Sequence, residues 1–400
     1  MDANYWFSKQ PILNTKQEIA DYFLNFEPAQ GSLTLQHAAS FYDALYDVGI
    51  ENLADGKKLF IKIDDDFLFD NTLLKLPKQS LIIGVNDSFK ITKKLIERLS
   101  ELKHLNYTFA LYHTQCKEEY LRKLLPLLAF VEYFVVDIKR INRAKFQEFK
   151  KELDQHSVKL IARNIDTHEV YASCQEIGFN YFSGSFYLVN EALESEDIDE
   201  NYQQTLNLLN TLEKSSSIDE IAQEFTKAPE VSFALLQYLN SPIFNMSRAI
   251  KSIRHALMLL GQKNLRKWLL MIAFSQVSSG SNNENPLLFT VQARAQIMYE
   301  IAKLTSKSLH IQAEEASFVG VLSLLDHLVG VTKSKLFSVI FVDDTIKDAV
   351  MMEKGILGDM LALAIAIEQF DTDKIASLRQ KLGLSNTQIN EVLEFGYRKR

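Results

Sequence analysis

The 400-residue sequence has few of the residues that mark disulfide-bonded, phosphate-loop or redox proteins. Its two cysteines, Cys116 and Cys174, lie far apart and fit no metal-binding spacing, which suggests a reducing compartment. It has only 14 glycines, and no Gly-x-Gly-x-x-Gly, phosphate-loop, Gly-x-Ser-x-Gly or Cys-x-x-Cys motif occurs. We therefore do not expect the nucleotide-binding, serine-hydrolase or dithiol sites that these motifs form.

Long apolar runs and clustered positive charge are also missing. No run reaches the roughly 18 apolar residues that a membrane span needs, and the polar, aromatic start does not resemble a secretion signal. The net charge is −7, and lysine and arginine are spread through the chain. Binding to nucleic acid or to an anionic membrane needs clustered cations. We therefore expect a cytoplasmic protein that binds neither nucleic acid nor membranes.

Residues 1–190 alternate apolar runs with helix-like segments. Near-continuous apolar runs are typical of strands that are buried on both faces, and their alternation with helices predicts a parallel sheet or a TIM-type barrel. The predicted strands are 59–63, 81–85, 108–111, 133–136 and 158–162. The stretch from Phe26 to Gly56 has little strand signal, so the sequence does not decide whether the barrel is complete.

The same half resembles EAL domains, which are barrel phosphodiesterases of the bacterial second messenger cyclic di-GMP. The matching motifs follow the family's order: KQPIL, LFIKI, NYTFALYHT, LLAFVEYFVVDIK and LIARNIDTHEVYASCQEIGFNYFSGSFY. The clearest is Glu-x-Gly-Phe-x-Tyr-Phe-x-Gly, from Glu176 to Gly184. The resemblance implies a (β/α) barrel over residues 1–190.

Residues 218–400 are predicted to be helical throughout. Around residues 228–268 we expect three helices, broken at Asn240–Pro242 and at Gly261, with Asn264 as an N-cap. Their apolar stripes are Val231, Leu235, Leu236 and Leu239; Ile250, Ile253, Ala256, Leu257 and Leu260; and Leu265, Trp268, Leu269 and Ile272. The motifs Asn-Ser-Pro, Ile-x-Ser-Ile-Arg-x-Ala-Leu and Leu-Leu-Gly resemble HDOD domains, helical relatives of the HD phosphohydrolases.

Together the two resemblances imply an EAL–HDOD signalling protein. Residues 191–217 are predicted to be an acidic linker that is partly helical, with the stripe Leu206, Leu209 and Leu212 docked on the second domain. Ser215–Ser217 would form the loop and the N-cap before the helix that begins at Ile218. The HDOD-like domain is placed at 218–400.

The EAL resemblance places the family's metal ligands and catalytic groups on residues that cannot perform these roles. The positions are Phe23, Lys62, Ile83, Tyr112, His113, Val135, Arg163 and Ser183. A two-metal hydrolase needs several carboxylates, and the charges of Lys62 and Arg163 would repel a divalent cation. Asp64–Asp66 follows the strand that carries Lys62, and we interpret it as a solvated loop. The sequence thus predicts no catalytic, metal or cofactor residue in the barrel.

The second domain leads to the same prediction. The His-Asp pair of HD hydrolases falls at Ser323 and Leu324 in SFVGVLSLLDHLVG. A carboxylate and an imidazole follow shortly after these positions, at Asp326 and His327. We assign them hydrogen-bonding roles rather than metal binding. Arg294 and Glu300 are interpreted as a structural ion pair. His255 is expected to cap or pack.

Three functions remain as hypotheses. The first is a catalytically inactive signalling scaffold that binds protein partners of unknown identity or a second copy of the chain as a homodimer. The second is a receptor that binds cyclic di-GMP or another nucleotide without cleaving it, because Lys62 and Arg163 would suit phosphates. The third is an active phosphodiesterase with displaced ligands.

Overall fold

The computed structural model describes residues 6–27, 32–36, 38, 53–86, 89–113, 124–189, 200–215, 217–239, 252–275, 285–309, 311–329, 331–340 and 342–396. A strand-rich region comes first, and a helical region follows it. None of the described helices is long and apolar enough to cross a membrane.

The first region is a closed barrel. The strands are β1 (Trp6–Leu13), β2 (Ile19–Glu27), β3 (Ser32–Leu33), β4 (Leu59–Ile63), β5 (Leu81–Asn86), β6 (Thr108–His113), β7 (Tyr133–Asp137), β8 (Lys159–Ile165) and β9 (Tyr181–Gly184). They pair in the order β2-β1-β9-β8-β7-β6-β5-β4, and β2 closes the ring by pairing with β4, Phe23 opposite Phe60. The short β3 lies beside the end of β4.

The predicted barrel is confirmed, with one correction. The ring of strands is complete, because β2 and β4 pair directly, and this decides the question of an incomplete barrel that the sequence left open. The sheet is not wholly parallel, because β1 runs antiparallel to β2 and β9. A tight turn between Leu13 and Ile19 permits that reversal, whereas parallel neighbours need a crossover connection.

Amphipathic helices cover the outside of the barrel. They are α1 (Asp65–Phe69), α2 (Lys93–His104), α3 (Arg143–Leu153) and α4 (His168–Ile177). In α2, Thr92 caps the first turn by accepting from the Leu95 amide, and Leu95, Leu99 and Leu102 are buried at helical spacing. This spacing turns one apolar stripe toward the barrel strands.

The second region is helical. Its helices are α5 (Glu200–Lys214), α6 (Ile218–Phe225), α7 (Pro229–Leu239), α8 (Ile253–Ser275), α9 (Pro286–Leu309), α10 (Ala313–Leu322), α11 (Leu325–Val329), α12 (Lys333–Val339), α13 (Asp344–Met352), α14 (Gly355–Gln369), α15 (Thr372–Lys381) and α16 (Asn386–Gly396). Helix α9 packs against α10, α14 and α16, while α5 packs against α6 and α8. The buried residues of both groups belong to one hydrophobic cluster.

Most of the predicted local features of this region are confirmed. Ser217 caps α6 by accepting from the Glu220 amide, and the leucine stripe of α5 is buried. Gly261 has φ +71° and kinks α8, where glycine's freedom allows a left-handed φ. Asn264 behaves differently from the predicted cap, because its amide donates across the kink to the Leu260 carbonyl at 2.8 Å. Residues 240–251, which include Ile250 and the predicted Asn240–Pro242 break, lie outside the described residues.

Candidate functional site at the barrel mouth

The inside of the barrel is filled with aromatic and aliphatic side chains. The inner cluster consists of Ile12, Phe23, Phe60, Ile82, Ala110, Tyr112, Tyr133, Val135 and Ile161. Phe23 and Phe60 meet edge to face with ring centroids 5.4 Å apart, and Phe60 meets Tyr133 at 5.0 Å. Because side chains alternate between the two faces of a strand, residues two positions further along also face inward.

Arg163 lies at the mouth where the parallel strands end. It follows the inward-facing Ile161 by two residues, and its guanidinium carbon is 4.9 Å from the centre of the Phe23 ring. Its Nη2 donates to Asn25 Oδ1 and, at 3.4 Å, to Gln10 Oε1. The Asn25 amide in turn donates to Gln10 Oε1 at 3.0 Å. Three polar side chains from β8, β2 and β1 thus form one network.

A bulge in β8 lies beside this arginine. The pairing of β8 with β9 shifts register between Arg163 and Ile165, and Asn164 has φ +63°. Bulges bend a strand and re-aim its side chains. Burial lowers the pKa of Arg163, while the nearby Tyr112 and Asp137 act in the opposite direction. The guanidinium remains charged, as arginine does in proteins.

Tyr112 occupies the adjoining space. Its ring lies where a Cβ on Gly84 would be, since that atom would come within 2.4 Å of Tyr112 Cε2. The ring centroid is 6.0 Å from that of Phe23. Burial raises the pKa of the Tyr112 phenol, so the group stays protonated at neutral pH. Glycine at 84 therefore makes room for an aromatic plug.

The structure brings together several of the positions that the EAL resemblance singled out. Phe23, Tyr112, Val135 and Arg163 share the inner face, and Lys62 follows the inward-facing Phe60 by two residues on β4. The Ile83 position does not join them, because Ile82 and not Ile83 belongs to the inner cluster. Ile83 packs in the outer core, and Gly84 is the mouth-side neighbour of Ile82.

The remaining positions of that set have other environments. The hydroxyl of Ser183 is buried and donates to the Pro11 carbonyl at 2.8 Å, which joins β9 to β1. His113 ends β6, and its side chain lies outside the described residues. Asp64 caps α1 by accepting from the Phe67 amide, so the segment predicted as a loop is the start of a short helix, while Asp65 and Asp66 are exposed as predicted.

Asp137 is a carboxylate near Arg163 at the mouth. Asp137, opposite Arg163 in the β7–β8 pairing, accepts from the Lys139 amide and lies 3.3 Å from Arg140. Among the residues that the structure describes, no group of three or more histidine, cysteine, aspartate or glutamate side chains is arranged to hold a metal ion. The side chains described around Arg163 are therefore mainly amides and aromatic rings.

A second polar cluster lies where the barrel meets the helices. Arg294 of α9 binds Glu368 of α14 through two contacts and donates from Nη1 to Ser323 Oγ at 2.8 Å. The prediction that Arg294 pairs with Glu300 is wrong. Glu300 instead contacts Gln296 and Lys303 on its own helix, because these residues are four positions before it and three after it.

Asp326 and His327 form hydrogen bonds, as predicted. His327 Nδ1 is 3.0 Å from Asp326 Oδ1, and Nε2 contacts the Leu188 carbonyl just after the barrel. A cavity of about 220 Å³ adjoins this contact. It is lined by Ser185, Leu188, Val189, Arg294, Ser323, Leu324, His327, Lys333 and Gln369. The positions of the expected His-Asp pair thus face a cavity between barrel and helices.

Aromatic packing also joins the two regions. The Tyr22 ring of β2 is 5.3 Å from the Phe289 ring of α9, and Lys9 Nζ is 3.8 Å from the centre of Tyr22. Tyr187 and Thr290 share a hydrogen bond of 3.1 Å. Burial raises the pKa of Tyr22 and of Tyr187, so both phenols remain neutral.

Sequence reasoning missed three residues of these clusters. Gln10 lies in the motif KQPIL, and Asn25 follows Phe23 by two residues, so strand alternation could have placed both on the inner face. Glu368 has no comparable local signal. Its side chain reaches Arg294, 74 residues away.

Comparison with known proteins assigns part of the helical region. The model of the HDOD domain matches residues 199–335, from α5 into α12. These residues form an HDOD domain. The match includes most of the segment that was predicted as a linker, and α13–α16 follow it. The domain boundaries at 190 and 217 remain predictions.

Two relatives match over most of the chain. It is 23% identical over 386 residues to the uncharacterized protein YuxH of Bacillus subtilis, covering 94% of this chain and 93% of that protein. It is 24% identical over 401 residues to the cyclic di-GMP phosphodiesterase CdgJ of Vibrio cholerae, covering 97% of this chain and 90% of that protein. Both alignments include the barrel and the HDOD domain.

Solved structures with a similar chain include proteins bound to cyclic di-GMP. The Klebsiella pneumoniae BlrP1 manganese complex has a TM-score of 0.36 and 15% identity, covering 45% of this chain and 54% of that chain. The Bacillus subtilis YkuI protein, with an EAL domain, has a TM-score of 0.39 and 14% identity, covering 56% of this chain and 74% of that chain.

Proposed function

We propose that this chain is a signalling protein related to cyclic di-GMP circuits that does not hydrolyse the nucleotide and acts by binding other proteins. The observation that carries the proposal is the position of Arg163. Its guanidinium lies over Phe23 and binds Asn25 and Gln10 at the mouth where the EAL resemblance expects a metal-ligating carboxylate.

The chemistry of the mouth supports this proposal. Two divalent cations and an attacking water need several hard oxygen ligands. The inner face supplies Phe23, Tyr112 and Val135 instead, and Arg163 and Lys62 add positive charge. A metal ion would have to displace these cations or be repelled by them.

The relative named as a cyclic di-GMP phosphodiesterase supports the link to this nucleotide's signalling. Hydrolysis by this chain would require ligands that the residues described at the mouth do not provide. In the HDOD domain, the expected His-Asp positions hold Ser323 and Leu324, and Ser323 accepts a hydrogen bond from Arg294. These two positions offer no metal ligands of the HD type, and we therefore propose protein binding as the role of this domain.

Calorimetric titration with cyclic di-GMP tests the proposal. The full chain is titrated with and without Mg²⁺ and Mn²⁺, and the nucleotide is then analysed for linear product beside an active phosphodiesterase. We expect no product under any condition. Metal-dependent product would overturn the proposal. Sedimentation of the same sample shows whether a second copy is one of the protein partners.

A second candidate is a receptor that binds the nucleotide without cleaving it. It is favoured by Nε of Arg163, which is buried and has no hydrogen-bond partner among the described residues, and by the nearby positive charge of Lys62. Heat without product would support it, and Arg163→Ala should then abolish that heat. Lys159→Ala is the matched control, because Lys159 begins the same strand at the opposite end of the barrel.

A further inference from the structure

A chain of hydrogen bonds runs from the barrel mouth to the helices. Gln10 receives hydrogen bonds from Asn25 and Arg163 on its Oε1 and donates from Nε2 to the Glu368 carbonyl at 2.8 Å. Beyond that carbonyl, the Glu368 carboxylate binds Arg294, which reaches Ser323 in the HDOD domain. The chain therefore links Arg163 at the mouth to a residue that lines the cavity between barrel and helices.

The partners of Gln10 fix the orientation of its amide. Oε1 faces two donors, one of them cationic, and Nε2 faces an acceptor. A flipped amide would turn its NH₂ group toward the guanidinium and its oxygen toward a carbonyl, and both contacts would be repulsive. Arg163 acts on this orientation in two ways, directly through its 3.4 Å contact and through Asn25, which accepts from Arg163 and donates to the same Oε1 at 3.0 Å.

The Glu368 carbonyl is a group that needs such a donor. The last four carbonyls of a helix have no partner within the helix. At the end of α14, the Phe370 amide binds the carbonyls of Ala366 and Ile367, and the Asp371 amide binds that of Ala366. Gln10 thus supplies from the barrel a hydrogen bond that α14 does not make itself.

We infer that Gln10 couples the barrel mouth to α14: whatever draws Arg163 away from Asn25 and Gln10 loosens the C-terminal end of α14. The coupling needs no catalysis and does not depend on which ligand, if any, the mouth binds. It would give the chain a physical route by which a change inside the barrel alters the surface formed by the C-terminal helices.

Hydrogen–deuterium exchange of the full chain tests the coupling, read on peptides that cover residues 366–375. Arg163→Met removes the hydrogen bonds at the mouth end of the series that leads to Glu368. Gln10→Glu keeps an acceptor for Arg163 and Asn25 but removes the donor to the Glu368 carbonyl. We expect each variant to exchange about two- to tenfold faster at these amides, as the loss of one hydrogen bond would give.

The double variant and a control make the test specific. Arg163→Met combined with Gln10→Glu should exchange no faster than the faster of the two single variants, because both break the same chain. Tyr187→Phe removes a different hydrogen bond between barrel and helices. Any increase in exchange that it causes at residues 366–375 should add to the increase caused by Arg163→Met. Unchanged exchange in Arg163→Met, or additive effects of Arg163→Met and Gln10→Glu, would overturn the coupling.

A milder variant serves if methionine at 163 prevents folding. Arg163→Lys keeps the charge, but one ammonium group cannot reproduce the planar fork that contacts Asn25 and Gln10. Faster exchange at residues 366–375 in this variant would support the coupling. Wild-type exchange there would overturn it.

Discussion

Arg294 and Glu368 form a two-point ion pair that joins α9 to α14. Arg294 Nε lies 2.8 Å from Glu368 Oε1 and Nη2 lies 2.6 Å from Oε2, and the two side chains are 5% and 13% exposed. Parallel hydrogen bonds of this kind suit the planar guanidinium, and burial protects them from solvent screening. The pair fixes α14, whose last turn also accepts the hydrogen bond from Gln10.

Arg294→Met should lower the free energy of unfolding by about 3–5 kcal/mol, because it leaves the Glu368 carboxylate without its partner in a largely buried site. Urea denaturation measures this change. The matched control is Lys93→Met, whose pair with Glu97 is exposed and 3.7 Å long, and which should change stability by no more than about 0.5 kcal/mol. Equal effects of the two variants would contradict the structural role of the Arg294 pair.

Gly84→Ala should destabilise the barrel by about 1–3 kcal/mol, because the new methyl group would overlap the buried Tyr112 ring. The backbone of Lys62, 3.1 Å from the same atom, leaves little room for relief. In a double-mutant cycle, Tyr112→Leu should relieve part of the cost, so that the double variant is more stable than the sum of the single changes predicts. Strict additivity would show that the ring does not fill this space.

Phe289→Ala should cost about 1–3 kcal/mol, since its ring packs against Tyr22 and is partly buried between barrel and helices. A cycle with Tyr22→Ala should give a coupling of about 0.5–1.5 kcal/mol. Phe233→Ala is the control, because that ring on α7 is 63% exposed and its loss should change stability by no more than about 0.5 kcal/mol. The absence of coupling between Tyr22 and Phe289 would argue against the aromatic contact.

Asp21→Asn should change the pH dependence of stability. Burial raises the pKa of Asp21 above its ordinary 3.8, and the opposing hydrogen bond from the Lys58 amide is weaker. The native state therefore holds this proton more tightly than the unfolded state, and the resulting stability is lost as pH rises through the raised pKa. Relative to Asp21→Asn, the wild type should lose unfolding free energy as the pH rises above the ordinary pKa of 3.8.

Asp70→Asn should change the pH dependence of stability in the opposite direction. Hydrogen bonds from Thr72 lower the pKa of the partly exposed Asp70, so its contribution to stability is present above the ordinary pKa and is lost as pH falls. Other titrating groups cancel in each difference between wild type and variant. Differences that move in the same direction for Asp21 and Asp70 would contradict the assigned shifts.

The repeated strands and the helix caps could be predicted from local sequence. The apolar runs at 59–63 and 133–136 fall within β4 and β7, and Ser217 and Gly261 cap or kink helices as their chemistry favours. The antiparallel direction of β1 was not predicted. It depends on the pairing of β1 with β2, and on the pairing of β2 with β4 that closes the ring, and no local segment specifies these pairings.

At the site, the order of residues specifies which kinds of side chain are available: an arginine, a lysine and aromatic residues where the EAL resemblance expects ligands. Which of these side chains meet depends on the folding of distant segments onto one another. Arg163 contacts Gln10 across 153 residues of sequence, and Gln10 contacts Glu368 across 358. Local periodicity fixes the direction in which a side chain points from its own strand or helix. The partner that it finds depends on the closure of the barrel and on the packing of α14 against β1, which no local segment specifies.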